Sequence, residues 1–106
     1  MNTVSLMVRK YSAAELGVSS RKHADALCHA AADASSERWP QCYAWPFKIR
    51  VMPRGHVPDN SIVADDLFEQ VDEALAEGIA LRVLAWYEDA ISIGQEHYRR
   101  CTQPSF

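Results

Sequence analysis

The chain has 106 residues, 48% of them hydrophobic, and a formal net charge of −3. That length fits a single domain over 1–106 with its own core. It contains no run near the roughly 20 apolar residues that cross a bilayer. Three cysteines, Cys28, Cys42 and Cys101, are odd in number and irregular in spacing, which excludes a disulfide framework and points to buried free thiols.

Val4, Leu6 and Val8 alternate with Ser5, Met7 and Arg9, a period of two that predicts a strand from about Thr3 to Arg9. Polar and basic residues follow the short apolar run in Met1–Lys10, the reverse of a secretory signal, so a cytoplasmic location is expected. Ser12 and Glu15 have capping-box spacing, which starts a short helix at Ala13 that Gly17 stops. Ser19 or Ser20 caps a second helix running to about Arg38, before Pro40. Its stripe of Ala24, Leu27, Cys28, Ala31 and Ala34, with Trp39 at the end, is thin enough for close packing on a neighbour.

Tyr43, Trp45, Phe47, Ile49 and Val51 alternate with Ala44, Pro46, Lys48, Arg50 and Met52, the clearest strand in the chain. Pro46 cannot donate to a ladder and belongs at an edge. The first strand is its natural partner, giving a two-stranded ribbon covered by helices. Pro53 to Asn60 reads as a loop. A third helix opens near Ser61, with Leu67, Val71, Ala74 and Leu75 as its stripe and Gly78 closing or breaking it. In the last segment Ala80, Leu84, Tyr87, Ile91, Gly94, Tyr98 and Cys101 follow alternating steps of four and three, which fits a helix better than a strand. The expected fold is α+β, mainly helical with three to four helices and a small two-stranded β ribbon.

Charge divides along the chain. Residues 1–56 carry eight basic and four acidic residues, whereas 57–106 carry three basic and ten acidic. In the basic half, Tyr43, Trp45 and Phe47 share one strand face beside Lys48, Arg50 and Arg54. Aromatic platforms with cations are what single-stranded nucleic acid requires, because every base stacks and every linkage is charged; three aromatics on one strand face equally describe a buried face. Arg21 and Lys22 extend the basic set. They also open the second helix of a Gly17-Val18-Ser19 corner, the turn of a helix-turn-helix, although His23 stands where a β-branched residue is expected.

In the acidic half, Asp59, Asp65, Asp66, Glu69, Asp72, Glu73 and Glu77 place seven carboxylates in 19 residues. Such a face is either solvated or a competitor for a basic groove. Trp86 and Ile93, seven apart and off the main stripe of the last helix, mark a surface for a partner or a homodimer, or else simply buried positions.

His97 and Cys101 are four apart, and Cys28 adjoins His29. Zinc sites want two closely spaced ligand pairs, and Cys28 and His29 diverge by about 100° on a helix, so no metal is expected. No glycine-rich phosphate loop, nucleophile elbow or His-x-x-x-His pair occurs, and Cys42 has no defined base, so neither an enzyme nor a cofactor is expected.

In length, acidic balance, lack of enzymatic motif and the Tyr43/Trp45/Phe47 with Lys48/Arg50/Arg54 cluster, the whole chain resembles the small phage-encoded anti-CRISPR proteins that block type I (Cascade) systems. These inhibitors share no motif, so no residue role carries over. The resemblance implies a binding inhibitor in a bacterial host cell whose partner is a CRISPR surveillance complex, or the single-stranded DNA it exposes. An acidic-helix binder of a nucleic-acid groove and a small helix-turn-helix regulator stand as the alternatives.

Overall fold

The computed structural model describes residues 4–38, 47–53, 55–58 and 61–102, apart from the side chains of Phe47 and Thr102. The elements run β1 (Val4–Arg9), α1 (Ala13–Leu16), α2 (Arg21–Glu37), β2 (Phe47–Met52), β3 (Ile62–Val63), α3 (Asp65–Gln70) and α4 (Glu73–Thr102). The expectation of α+β, mainly helical with three to four helices, holds among the described residues, which form four helices, but their sheet has three strands instead of two, in the order β2-β1-β3.

β1 is the centre of the sheet. It pairs in parallel with β2, Leu6 opposite Ile49, and antiparallel with β3, Val8 opposite Ile62. Two adjacent parallel strands need a long crossover, and α1 with α2 supplies it. β3 is only two residues long, too short for a period of two to show in sequence. Beyond it the Ser5 N–H donates to Asp66 Oδ2 at 3.1 Å, so a side chain of α3 takes over where the strand stops.

One face of the sheet is covered. Val4, Leu6, Val8 and Ile49 are buried together with Ala24, Cys28, Ala31 and Ala32 of α2, Leu67 of α3, and Ala76, Ile79, Ala80, Val83, Tyr87 and Ile91 of α4. Of the expected stripe Ala24, Cys28 and Ala31 are buried and Leu27 is half-buried, Ser35 takes the last buried position while Ala34 is exposed, and Trp39 lies outside the described residues. Ser35 satisfies its hydroxyl on the Ala31 carbonyl at 2.8 Å. α2 and α4 run in opposite directions: Arg38 lies over Trp86, Leu27 against Gly94, and His23 against Tyr98.

The caps at the start of the chain form as read. Ser12 and Glu15 make the reciprocal capping box, Gly17 ends α1 at a φ of 68°, and Ser20 caps α2 through the His23 N–H. The acidic stretch departs from expectation. A single third helix ending at Gly78 is replaced by α3 and the start of α4, broken where Val71 is extended. Asp72 restarts the helix: its Oδ1 accepts the Leu75 N–H at 2.9 Å, the signature of an N-cap aspartate. The interruption shifts the helical phase. Leu67 stays buried, but Leu75, expected on the same stripe, is 45% exposed. Gly78 lies inside α4, which is 30 residues long.

Candidate functional site

Of the basic-aromatic set, Tyr43, Trp45 and Arg54 lie outside the described residues, as does Asp59 of the acidic set. Phe47 opens β2, its backbone opposite Val4. Lys48 and Arg50 are exposed on either side of buried Ile49, opposite Ser5 and Met7. The two cations therefore occupy the sheet face turned away from the core. As β2 is an edge strand among the described residues, such cations also deter pairing with another chain. Arg21 and Lys22 are exposed in the first turn of α2. That helix covers the opposite side of the sheet, so these two cations do not join Lys48 and Arg50 on one face.

α1, the first helix of the Gly17-Val18-Ser19 corner, is one turn of four residues, and a strand precedes it. Trp86 and Ile93 differ in environment. Trp86 is half-buried, with the Arg38 guanidinium 5.3 Å from its ring, and Arg38 also reaches Asp89 at 3.8 Å. Ile93 is 64% exposed.

The acidic region is the most distinctive described surface. Asp66 and Asp72 have local duties, one on β1 and one as a helix cap. Asp65, Glu69, Glu73 and Glu77 are exposed. Phe68 and Leu75, on the same two helices, are also exposed, at 44% and 45%. Acidic residues at helix starts favour the dipole whatever else they do. The dipole gives no reason for exposing a phenylalanine and a leucine among them. The phase shift at Val71–Asp72 turns Leu75 out to join Phe68, and the sequence hid this because the stripe looked continuous.

A second arrangement, unmarked by any motif, lies at the end of β1. Arg9 is buried and grips Glu15 through two hydrogen bonds, Nη1 to Oε1 at 3.2 Å and Nη2 to Oε2 at 3.0 Å. Its guanidinium lies 4.4 Å from the centroid of Tyr11, whose ring stacks on Tyr87 at 6.1 Å. Tyr87 donates its hydroxyl to the Arg9 carbonyl at 2.9 Å, and Cys28 Sγ lies 3.4 Å from the Tyr11 nitrogen.

The hydrogen bonds from Arg9 and from the Ser12 backbone hold the Glu15 carboxyl at about 2. Burial raises both phenols, with Glu88 adding to the effect at Tyr11 and Cys28 adding to it at Tyr87. Both phenols are therefore neutral at physiological pH, and the network ties α1 and α4 to β1. Beside it, Tyr11, Glu15, Leu16, Glu88, Ile91 and Gln95 line an open groove of about 460 Å³.

Among the described residues no helix is long and apolar enough to cross a membrane. Comparison of the chain with protein-family models, with curated proteins and with solved structures finds no match.

Proposed function

We propose that the protein is a non-enzymatic inhibitor that acts by binding, and that α3 with the first turns of α4 enters a basic groove that otherwise holds nucleic acid. The observation that carries this reading is the exposure of Phe68 and Leu75 among Asp65, Glu69, Glu73 and Glu77. Carboxylates steer the encounter with a basic surface, and desolvated apolar side chains hold it. In the anti-CRISPR reading the groove is the target-DNA channel of a type I surveillance complex.

The test is competition. With the protein present, a purified type I surveillance complex should lose target-DNA loading at near-stoichiometric inhibitor, less so as salt rises. The Glu69→Lys/Glu73→Lys variant should lose inhibition by tenfold or more while keeping its helical circular dichroism. Full inhibition by that variant would refute the acidic docking surface.

A second reading rests on Lys48 and Arg50, exposed on the sheet face away from the core. There the protein itself holds single-stranded DNA. It requires salt-sensitive binding of labelled DNA by the isolated protein, abolished by Lys48→Glu/Arg50→Glu. Absence of DNA binding at low salt removes it and leaves the acidic surface.

A further inference from the structure

Outside the core, the α2–α4 pair turns an apolar surface toward solvent. On α4, Trp86 and Ala90 are half-buried and Ile93 is 64% exposed. On α2, Ala30 and Ala34 are exposed. They continue the helical row from Leu27, which meets Gly94, to Arg38, which lies over Trp86. The two rows therefore lie side by side.

Charge along the rim indicates what covers this face. Arg82, Trp86, Asp89, Ile93 and Glu96 fall within an arc of about 80° on α4, at about 100° per residue. Arg82 and Glu96 are both exposed, and among the described residues Arg82 makes no ion pair. The midpoint of Trp86 and Ile93 falls between Asp89 and Ala90, and that of Arg82 and Glu96 falls at Asp89. A twofold axis crossing α4 there sets Trp86 on the second copy's Ile93 and Arg82 against the second copy's Glu96, in one antiparallel register. Each contact occurs twice, so an apolar centre gains a rim of two opposite-charge pairs. Asp89 approaches its symmetry mate at the axis. Arg38 reaches Asp89 at 3.8 Å, so each copy brings a cation that offsets this repulsion.

We propose that the protein forms a symmetric dimer in which α4 packs antiparallel on α4 of a second copy, centred at Asp89. The arrangement puts the two α4 starts at opposite ends, so the dimer carries two acidic surfaces.

Sedimentation velocity of the full chain from about 1 µM to about 1 mM tests this. Reducing conditions keep Cys101 from cross-linking copies. The expected result is a monomer–dimer equilibrium without larger species, because a twofold interface closes on itself. Ile93→Glu should weaken the dimer by about tenfold or more, with unchanged circular dichroism because Ile93 is exposed. Arg82→Glu and Glu96→Lys should each weaken it alone, since each sets like charges at both rim contacts. Mixed in equal amounts, these two variants should form a heterodimer close to wild type in affinity, because each contact then joins a carboxylate to a cation. Damage to the fold of either variant does not produce that rescue. A wild-type chain monomeric across the range, an undiminished dimer in Ile93→Glu, or a mixture that stays monomeric would each overturn the proposal.

Discussion

Arg9 and Glu15 set the energetics of the sheet's end through one two-pronged contact. The Arg9 side chain is 9% exposed and the Glu15 side chain 31%, so the pair falls between a surface bridge and a buried one. Removing the carboxylate charge with Glu15→Gln should cost about 1–2 kcal/mol at pH 7, between the values for exposed and for buried pairs. Urea unfolding measures it. The Glu15 carboxyl sits at about 2 in the fold, below its ordinary value of 4.5. Below 4.5 the unfolded chain takes up that proton while the folded one resists. The stabilisation is therefore complete above about pH 4.5 and fades as pH falls toward 2. Wild type and Glu15→Gln should converge in stability across that window, and a gap that stays constant there would show that the contact does not act through charge. No motif flagged Arg9: by alternation it belongs to the polar side of β1, yet it is buried, with Glu15 and Tyr11 against its guanidinium.

The two glycines of α4 test how far element-level reasoning reaches. From sequence, Gly94 is a weak point worth about 1 kcal/mol against alanine. In the fold, a Cβ there would stand 3.1 Å from Leu27 Cγ, whereas at Gly78 nothing lies within 4 Å. Gly78→Ala should therefore gain about 0.5–1 kcal/mol from helix propensity alone. Gly94→Ala should gain less, or lose, because Leu27 has to give way. Thermal unfolding of both variants decides it: equal gains would mean that the close approach of α2 and α4 carries no constraint. The helix boundaries follow the same division. Ser12, Gly17 and Ser20 are local signals and act where they were read. The break at Val71–Asp72 was missed because Asp72 looked like one more surface carboxylate on a continuing stripe.

Across the whole molecule, packing is uneven. The longest axis is 53 Å, and α4, at about 1.5 Å per residue, takes up most of it. Its buried residues end at Ile91, and none occurs from Ser92 to Cys101. Backbone amides of 76–91 should therefore exchange with the protection of global unfolding, while those of 96–102 exchange through local fraying. Hydrogen exchange by mass spectrometry distinguishes the two, and uniform protection along α4 would contradict that division.

The amino-acid sequence by itself determined the elements whose signals are local. These are the alternation of β1, the caps of α1 and α2, the thin alanine face of α2, and the helical period that carries Ala80 to Tyr98. Tertiary structure decided what depends on residues far apart in the chain. A period of two records that a strand has two faces, but neither its direction nor its neighbours, so the parallel pairing of β1 with β2 came only with the α1–α2 crossover. β3 exists because β1 offers an edge for two residues to join. The candidate surfaces divide in the same way. The charges of the acidic stretch were plain in sequence. The exposure of Phe68 and Leu75 beside them, and the contact of His23 with the Tyr98 ring, arise only once helices have packed and fixed which side of each turn meets water.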